Sequence, residues 1–414
     1  MTAEIIVVGN ELLDGSRRDE HTAYLAAQMA AVGVTVERSI LVPDDPAIIE
    51  ATMLRALEAA DLVVTTGGLG VTSDDLTKQV AARVCGRRLA LDERALSRVR
   101  ERFEERGLAM PEINVSQAMV PEGARVIENR HGTAPGLLIE HGEALLFLLP
   151  GVGTEMRAMV EGYVVPFLEG RGLRRLTEER LIRTTGLSES RVAEIVGPLA
   201  RRIARTEIAY LPSRSGVDLK VVSRIGATED AGRAADEAAE RIAEALGPFV
   251  YARGPEALEE IVGYLLSMAR LRLAVAESCT AGRIGWRITR VPGSSAYFAG
   301  GVIAYSDDVK RRALGVRAET LASHGAVSEE TAREMAAGAC AAAGADVGLA
   351  VTGIAGPDGG SSEKPVGLVH IAVAGRFERA QRHLFAGGRD AVREQAAQAA
   401  LELLRRALLN IEGT

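Results

Sequence analysis

Residues 273–310 read LAVAESCTAGRIGWRITRVPGSSAYFAGGVIAYSDDVK, and this stretch organises the second half of the chain. It opens on a four-residue apolar run that is typical of a buried strand. The run ends in the polar sequence Glu-Ser-Cys-Thr at 277–280, and a helical pattern over 283–290 follows and stops before Pro292. A strand that ends in small hydroxyl residues and leads into a helix favours a ligand site, because free backbone N–H groups are available there.

Lysine is rare in this chain, so each lysine is a candidate for a role that arginine cannot fill. Lys and Arg together number 49, but only four of these residues are lysines: Lys78, Lys220, Lys310 and Lys364. Burial can remove the proton from a lysine but not from an arginine. Lys310 follows Ser295 by fifteen residues, and a neutral lysine can activate a serine without histidine or metal. The alternative interpretation is that Lys310 is a solvated helix residue.

Five ordered segments carry a family resemblance: AESCTAG (276–282), PGSSAYF (292–298), AYSDDVK (304–310), GAVSEETA (325–332) and VTGIAGPDGGSSEKPVGLV (351–369). They resemble the C-terminal domain of the CinA family, which is similar to nicotinamide-nucleotide amidase. The resemblance implies that nicotinamide mononucleotide (NMN) is deamidated to nicotinate mononucleotide without a cofactor. It implies three catalytic residues, Ser295, Tyr305 and Lys310. It also implies four substrate-site residues, Glu277, Ser278, Cys279 and Thr352.

The mechanism that follows from this set is metal-free amide hydrolysis. Ser295 attacks the carboxamide carbon, and Lys310 accepts the serine proton, directly or through Tyr305. Backbone N–H groups of the turn at 293–295, or of the loop after residue 353, stabilise the oxyanion. This half of the sequence has no HExxH pair and no Cys/His ligand cluster, which agrees with a reaction that needs no metal.

Other residues of this half are further candidates for the site. Cys279 is a rival nucleophile, because a helix N-terminus can lower the pKa of a thiol. Arg389 and Arg393 lie one turn apart on the last predicted helix. They are candidates for holding a phosphate, unless they pair with Asp390 or Glu394. The remaining substrate-binding candidates are Thr280, Gly353 and Lys364.

Length and composition limit the class of protein. A chain of 414 residues predicts two to three domains. The formal net charge of −7 argues against a duplex-DNA binder, which usually presents a basic face. Three widely spaced cysteines, an odd number, indicate a reducing compartment without a disulfide framework. The sequence shows neither a signal-peptide pattern nor an apolar run of about 18 residues, so we expect a cytoplasmic protein that does not enter a membrane.

The first half of the chain alternates strand and helix patterns. Strands are predicted at 5–8, 34–42, 62–66 and 145–149, and helices at 22–32, at 46–60 and from residue 154. This alternation predicts a parallel sheet covered by helices, with ligands at the carboxyl ends of the strands.

The segment TTGGLGVTSDDLT (65–77) follows one of these strands and predicts a phosphate site. The backbone of a glycine-rich turn can approach a phosphate closely, which makes Gly67, Gly68, Gly70 and Thr72 candidates for that contact. Carboxylates beside the same anion are explained by a bridging divalent metal. The alternative is that Asp74 or Asp75 only caps the next helix.

This half resembles the molybdenum-cofactor-biosynthesis (MoCF-like) domain of CinA proteins. The resemblance rests on GNELLDG (9–15), the segment at 65–77, NRHGTAPG (129–136) and PGVGTEM (150–156). It implies hydrolysis of ADP-ribose with a divalent metal, whereas related enzymes handle adenylated molybdopterin. Where the family usually shows Asp-Thr-Asn, this chain has Asp19-Glu20-His21, and His21 is a further metal-ligand candidate. The acidic candidates for the metal are Glu11, Asp44, Asp74 and Asp75.

Residues 172–250 show a βαββαβ pattern that suits a small split-βαβ domain. Its strands are predicted at 179–185, 207–211, 217–225 and 249–251, and its helices at 188–200 and 229–246. The pattern is KH-like, but this segment lacks the Gly-x-x-Gly loop with which a KH domain clamps RNA. We therefore expect a linker or dimerisation role and no direct nucleic-acid binding.

The sequence thus predicts a MoCF-like three-layer α/β domain at 1–169, a small α+β domain at 170–252 and an α/β CinA amidase domain at 253–414. The expected partners are NMN, ADP-ribose and a second copy of the chain. A competence- or recombination-associated interaction protein is the alternative from another functional class.

Overall fold

The computed structural model describes residues 1–72, 74–171, 177–203, 206–224 and 231–411. The chain divides into two compact units, Met1–Leu176 and Thr177–Thr414, and both combine helices with sheets, which confirms the predicted α/β class. None of the helices in the described ranges has the length and apolar character needed to cross a membrane. The three cysteines are free thiols.

The first unit is built on a six-stranded sheet in the order β2-β1-β3-β8-β7-β6, and β4 and β5 form a separate antiparallel pair. Strands β2, β1, β3 and β8 are parallel to one another, and β7 and β6 are antiparallel additions. The strands are β1 (Thr2–Val8), β2 (Thr35–Val42), β3 (Leu62–Thr66), β4 (Leu89–Leu91), β5 (Met119–Pro121), β6 (Arg125–Ile127), β7 (Gly136–His141) and β8 (Ala144–Leu149).

Helices cover both faces of this sheet. A 3₁₀ helix spans Glu112–Ala118, and one π-helical turn, Val160–Val164, separates the last two helices of the unit. The α-helices are α1 (Asn10–Leu13), α2 (His21–Ala31), α3 (Pro46–Ala59), α4 (Thr77–Val84), α5 (Glu93–Glu104), α6 (Gly153–Met159) and α7 (Val165–Glu169).

Alternating side chains of the strands divide this unit into two cores. Ile5 and Val7 of β1 pack with the helices on one face, and Ile6 and Val8 pack on the other. Strand β1 lies between β2 and β3, so the chain turns in opposite directions after β1 and after β3. Open parallel sheets bind ligands at such a switch point, outside the carboxyl ends of the strands.

The second unit begins with an antiparallel sheet in the order β10-β11-β9-β12, on which two helices pack. The predicted βαββαβ order is confirmed. Its elements are β9 (Thr177–Thr184), α8 (Glu189–Ala200), β10 (Thr206–Ser213), β11 (Gly216–Arg224), α9 (Ala231–Leu246), a 3₁₀ turn at Gly247–Phe249 and β12 (Val250–Ala252).

The rest of the second unit is a three-layer α/β structure around a mixed sheet in the order β14-β13-β15-β16-β17. Strand β13 is parallel to β14 and β15, and β16 and β17 are antiparallel. Its elements are α10 (Leu258–Ala269), β13 (Leu273–Glu277), α11 (Arg283–Thr289), a 3₁₀ turn at Ser294–Ala296, β14 (Phe298–Ile303), α12 (Asp307–Leu314), α13 (Ala318–His324), α14 (Glu329–Ala343), β15 (Val347–Gly353), β16 (Leu368–Gly375), β17 (Arg379–Leu384) and α15 (Arg389–Leu408).

The central strand β13 shows why this sheet is covered on both faces. Leu273 and Val275 pack toward α10 and α15, whereas Ala274 and Ala276 pack toward α14. Helix α14 begins after Ser328, because the Ser328 hydroxyl accepts a hydrogen bond from the N–H of Thr331. Strand β13 is thus fixed from both sides, and its carboxyl end carries the Glu-Ser-Cys-Thr turn.

Candidate functional site

The turn after β13 is held by the carboxylate of Glu277, which is only 1% exposed. This carboxylate accepts hydrogen bonds from the backbone N–H groups of Gly282 (2.9 Å), Ile284 (3.2 Å) and Gly285 (2.9 Å). Glu277 therefore fixes the start of α11, and the oxygens expected to bind substrate are engaged by backbone. Sequence reasoning missed this capping role because the bonded donors are five to eight residues away.

Ser278 occupies the first position of this turn and is 8% exposed. Its backbone N–H donates to the carbonyl of Val351 at 3.0 Å, which ties the turn to the neighbouring strand β15. The Ser278 hydroxyl makes no hydrogen bond within the described part of the chain. Next to it, the buried Thr280 hydroxyl also lacks a partner. The turn therefore presents two hydroxyl groups that are not used by the fold.

Lys310 is buried at the same carboxyl edge of the sheet, with 1% of its surface exposed. Its Nζ lies 3.4 Å from the carbonyl of Tyr305 and 3.7 Å from a carboxylate oxygen of Asp307. Burial lowers the pKa of Lys310, whereas nearby Asp307, Cys279 and Tyr305 act to raise it. The net lowering favours the neutral amine that a general base requires. The alternative of a solvated helix lysine is wrong.

The 278–280 turn and Lys310 are brought together by the pairing of β13 with β14. The N–H of Ala304, just after β14, donates to the carbonyl of Glu277 at 2.8 Å. Tyr305 and the first turn of α12 follow directly. Lys310 and the turn therefore lie at the same edge of the sheet.

Ser295, the predicted nucleophile, lies at the opposite edge of the sheet from Lys310 within this chain, and its catalytic role stays a prediction. It belongs to the exposed 3₁₀ turn before β14, where the carbonyl of Tyr297 accepts from the N–H of Leu273 at the amino end of β13. The six residues of β14 separate this turn from Lys310, and a strand rises about 3.3 Å per residue. Ser295 and Lys310 of one chain are therefore separated by the length of this strand.

Cys279 does not have the properties of a thiolate nucleophile. Its side chain is buried, and burial raises the pKa of the thiol to about 11. The helix effect expected from the sequence does not lower this value, since α11 begins only at Arg283. A thiol with this pKa is almost wholly protonated at neutral pH.

Two arginines of α15, Arg389 and Arg393, contact the residues of this site. Arg393 donates to the carbonyls of Cys279 (3.1 Å) and Thr280 (3.0 Å) and so holds the turn. Arg389 donates to the hydroxyl of Tyr305 (2.9 Å) and to the carbonyl of Gly356 (2.7 Å). The predicted pairing of these arginines with Asp390 or Glu394 is wrong, because both carboxylates pair with Arg214 and Arg283.

Three other predicted substrate ligands order the loop that follows β15. The Thr352 hydroxyl donates to the carbonyl of Ala326 at 2.7 Å. Lys364 donates to the carbonyls of His324 and Val327. A Cβ at Gly353 would lie 2.7 Å from the carbonyl oxygen of Leu368, so the strands approach closely there. The Thr352 hydroxyl and the Lys364 amine are therefore engaged by backbone carbonyls of residues 324–327, between α13 and α14.

The glycine-rich loop of the first unit has the close backbone approaches that the sequence predicts. Gly67 and Gly68 have φ of +103° and +67°, which L side chains rarely adopt. A Cβ at Gly67 would lie 2.3 Å from the carbonyl oxygen of Val8, and one at Gly70 would lie 2.4 Å from the carboxylate of Asp75. The N–H and hydroxyl of Thr72 both donate to Asp75. These two hydrogen bonds join Thr72 to Asp75 at the end of the glycine-rich loop.

The four predicted metal ligands do not converge. Asp75 accepts from Thr72, Asp44 accepts from the N–H of Asn10 at 2.9 Å, and Asp74 is exposed. Across 1–72, 74–171 and the other described ranges, no three His, Cys, Asp or Glu side chains lie close enough to hold a metal ion. The donor set that the resemblance implies does not fit a preformed metal site, because Asp44 and Asp75 are engaged by local backbone.

A cleft of about 590 Å³ opens at the carboxyl ends of β1 and β3. Glu11 and His21 line it together with Thr66 and the 151–154 turn. Sequence reasoning missed three arginines of its wall, Arg17, Arg18 and Arg157. Their signal was weak because arginine is the usual cation throughout the chain. The cleft lies at the switch point of the sheet, where a nucleotide is expected.

Known protein families match three separate segments of this chain. The chain matches three family descriptions: a probable molybdopterin binding domain over residues 4–170, a damage-inducible protein CinA KH domain over 179–252, and a CinA C-terminal domain over 255–408. The KH match assigns the middle segment to a KH family, although the segment has no Gly-x-x-Gly loop.

Two relatives match this chain over nearly its whole length, and a solved structure matches part of it. A CinA-like protein of Gemmatimonas aurantiaca is 43% identical over 419 residues, and the match covers 100% of this chain and 98% of the relative. A CinA-like protein of Dictyoglomus thermophilum is 41% identical and covers 99% and 100%. The crystal structure of the protein CinA from Thermoplasma acidophilum is 37% identical, with a TM-score of 0.37, over 39% of this chain and 94% of that one. The chain therefore belongs to the CinA family.

Proposed function

We propose that the C-terminal domain is a metal-independent amidase that converts NMN to nicotinate mononucleotide and ammonia. The observation that carries the proposal is a buried lysine with a lowered pKa, Lys310, at the same sheet edge as the unpaired hydroxyl of Ser278. A serine that is activated by a neutral lysine can carry out acyl transfer without histidine or metal.

In the proposed reaction, the Ser278 oxygen attacks the carboxamide carbon and its proton passes to Nζ of Lys310. The N–H groups of Cys279 and Thr280 donate to no carbonyl in the described structure and lie beside the Cys279 sulfur, and we assign them to the oxyanion once substrate is bound. The C–N bond then breaks, and ammonia leaves with the proton from Lys310. A water molecule hydrolyses the resulting acyl-enzyme and regenerates the serine.

The nucleotide part of the substrate needs its own contacts. Arg389 has an exposed guanidinium that already contacts the Tyr305 hydroxyl at the site, and we assign it to the substrate phosphate. Tyr305 then has a positioning role at the mouth of the site. The buried Arg393 contacts serve the turn and not the ligand.

The test is ammonia release from NMN in excess EDTA. We expect activity in the wild type and a loss of about 10²–10⁴-fold in Lys310→Arg, because arginine stays protonated. Ser278→Ala should be at least as severely impaired. Ser295→Ala and Cys279→Ala should stay within a few-fold of the wild type. A dead Ser295→Ala or Cys279→Ala enzyme beside an active Ser278→Ala enzyme would reverse the assignment.

A second activity is proposed for the first unit, the hydrolysis of ADP-ribose to AMP and ribose 5-phosphate. The cleft at the switch point and its arginines support a ligand with a pyrophosphate. AMP release from ADP-ribose, measured with and without an added divalent metal, tests this proposal and its metal requirement. Binding of adenylated molybdopterin without AMP release would favour the alternative. No activity in either unit would favour an interaction protein.

A further inference from the structure

One cavity of the second unit takes no part in the functions proposed so far. It encloses about 520 Å³ between the KH segment (179–252) and the C-terminal domain (255–408), a volume typical of small-molecule sites. The KH segment contributes residues 185–189 and 212–217, and the C-terminal domain contributes β17 and the part of α15 from Gln395 to Arg406. Neither Ser278 nor Lys310 is among the described residues that line it. The cavity is therefore separate from the proposed amidase site.

Aromatic rings from both parts of the unit line this cavity. In the C-terminal domain, the rings of His383 and Phe385 stack with their centroids 5.1 Å apart and their planes inclined by 7°. In the KH segment, the guanidinium of Arg406 lies 5.2 Å from the ring centroid of Phe249 and holds that ring. All three rings keep some exposed surface. Exposed aromatic faces favour a planar ligand, because aromatic side chains bind nucleobases by stacking.

The amide of Gln398, which lines the cavity, has a carbonyl oxygen without a hydrogen bond, although Gln398 is only 4% exposed. Nε2 of Gln398 lies 3.2 Å from the hydroxyl oxygen of Thr185, and that hydroxyl donates its one proton to the carbonyl of Ser215 at 2.9 Å. Thr185 can therefore only accept from Gln398, which fixes the orientation of the amide. Oε1 of Gln398 is left without a partner. A buried acceptor of this kind indicates a donor that does not belong to the protein chain.

The cavity also presents hydrogen-bond donors. Nε2 of His383 lies 3.2 Å from Oε1 of Gln381, and the imidazole is the donor because an amide oxygen can only accept. Nε2 of Gln381 makes no hydrogen bond to the described residues. Arg406 donates to Glu402 through Nε, and its two terminal nitrogens make no hydrogen bond within the described ranges. Donors and an acceptor thus lie in one cavity, and the edge of a nucleobase offers both kinds of partner.

The arginines of the cavity wall already have carboxylate partners, which argues against a phosphate as the group that the cavity holds. Arg406 pairs with Glu402 at 2.6 Å. Arg214 pairs with Asp390 at 3.5 Å and with Glu394 at 3.4 Å. A phosphate site usually presents guanidinium groups that are available to the anion. The stacking rings and the amides are therefore the groups that select the ligand.

We propose that this cavity binds the base of a free nucleoside or nucleotide. The base stacks on the rings of His383 and Phe385, and its polar edge meets Oε1 of Gln398 and Nε2 of Gln381. The ligand is free and not part of a nucleic-acid strand, because the KH segment lacks the Gly-x-x-Gly loop that clamps a strand by its backbone. The competing interpretation is a cavity filled with water, in which a water molecule donates to Gln398.

Isothermal titration calorimetry of the full chain with adenosine, guanosine, cytidine and uridine separates these interpretations. Ribose is the control ligand, since it lacks a base. His383→Ala removes a stacking ring, and Gln381→Leu removes the amide while nearly conserving side-chain size. Arg382→Ala is the matched control variant, because Arg382 lies on the same strand, is exposed and does not line the cavity.

We expect at least one nucleoside to bind with a dissociation constant below about 1 mM, and ribose not to bind. His383→Ala should weaken that binding by about 5–150-fold, because a base loses its stacking partner. Gln381→Leu should weaken it by about 2–10-fold through the loss of one uncharged hydrogen bond. Arg382→Ala should bind as the wild type does.

Three results would overturn the inference. If no nucleoside binds at about 1 mM, the cavity holds only water. If a nucleoside binds equally well to His383→Ala and Gln381→Leu, it occupies another site, and the two activities proposed above are unaffected. If a five-nucleotide RNA binds more than about tenfold tighter than the matching nucleoside, the ligand is a strand and not a free base. Should His383→Ala fail to fold by circular dichroism, Gln381→Leu alone decides.

Discussion

At the scale of single residues, the most informative feature of this protein is a lysine that the fold buries without a close counter-charge. Asp307 lies 3.7 Å from Lys310 but is largely exposed, so it offsets little of the desolvation. Each unit by which burial lowers a pKa corresponds to about 1.4 kcal/mol of differential interaction between the two protonation states. The burial of Lys310 therefore destabilises the folded state at neutral pH and makes the amine easier to deprotonate.

Replacement of Lys310 by methionine should therefore stabilise the protein at pH 7. The unfolded chain keeps the lysine pKa near 10.5 and binds more protons than the folded chain above the lowered pKa. Wild-type stability then rises with pH in that window. We expect the difference in Tm between Lys310→Met and the wild type to shrink as the pH approaches 10. A difference that is independent of pH would contradict the burial of a titrating amine.

Cys279 should be the least reactive of the three thiols. With a pKa of about 11, only about 0.1% of this thiol is ionised at pH 8, and the side chain is also buried. Single-cysteine proteins that retain Cys279, Cys85 or Cys340 can be titrated with a thiol-specific disulfide reagent. Cys279 should react at least tenfold more slowly than Cys340 in the native state and at the same rate in denaturant. Fast native labelling would restore Cys279 as a nucleophile candidate.

Two of the features that the sequence singles out for the C-terminal site lie at one edge of the sheet in the structure. Lys310 stood out because lysine is rare, and the turn at 277–280 stood out because it follows a strand. Ser295 was assigned by the family resemblance, and within this chain a strand separates it from Lys310. The role of Glu277 was equally hidden, because its partners are backbone groups that no side-chain pattern reveals.

At the scale of elements, two helical glycines make a matched pair for testing helix packing. A Cβ at Gly338 of α14 would lie 1.9 Å from the carbonyl oxygen of Leu314, whereas a Cβ at Gly197 of α8 would have open space. Gly338→Ala should destabilise the protein by about 1–3 kcal/mol, because backbone must move. Gly197→Ala should change stability by less than about 1 kcal/mol, because the helix preference of alanine is opposed by Pro198, which disfavours a Cβ on the helical residue before it. Urea unfolding monitored by circular dichroism measures both, and equal effects would contradict the close approach of α14 to the end of α12.

Helix α15 contains a buried charge cluster that should dominate its stability. Glu402 accepts from Arg405 at 2.7 Å and from Arg406 at 2.6 Å, and all three residues are buried. Glu402→Gln should cost about 3–5 kcal/mol, because two buried guanidinium groups lose their counter-charge.

The control for this prediction is Glu237→Gln on α9, which removes an exposed pair with Arg233 and should cost less than about 1 kcal/mol. Chemical unfolding of the two variants measures the difference. Similar losses in both would show that burial does not strengthen the α15 cluster.

Sequence patterns predicted the buried elements of the fold better than its edges. Strand β3 is buried along its whole length and has the limits predicted for it, 62–66. The edge strand β17, with the sequence RAQRHL, was missed because it exposes polar side chains and shows no apolar run. Strands β6 and β7 were missed because they follow a long irregular segment and are antiparallel additions to a sheet predicted to be parallel.

At the scale of the whole molecule, the second unit joins the KH segment and the CinA C-terminal domain by specific contacts. Gln398 donates to the Thr185 hydroxyl at 3.2 Å, and Arg405 donates to the carbonyl of Pro248 at 2.6 Å. Arg406 lies over the ring of Phe249 at 5.2 Å. These side chains belong to α15, which packs against the core of the C-terminal domain. The KH segment thus covers one side of the helix that holds the 278–280 turn.

A fragment of residues 253–414 should therefore keep the amidase chemistry but lose stability relative to 177–414. Ser278, Tyr305 and Lys310 are present in both fragments, so kcat for ammonia release from NMN should agree within a few-fold. The shorter fragment exposes Gln398 and Arg405 without their partners, and each lost buried hydrogen bond costs about 1–3 kcal/mol. Thermal unfolding of the two fragments should show a clearly lower Tm for 253–414. Equal Tm values would mean that contacts with the KH segment do not stabilise α15. A large loss of kcat at equal Tm would mean that the KH segment helps to arrange the site directly.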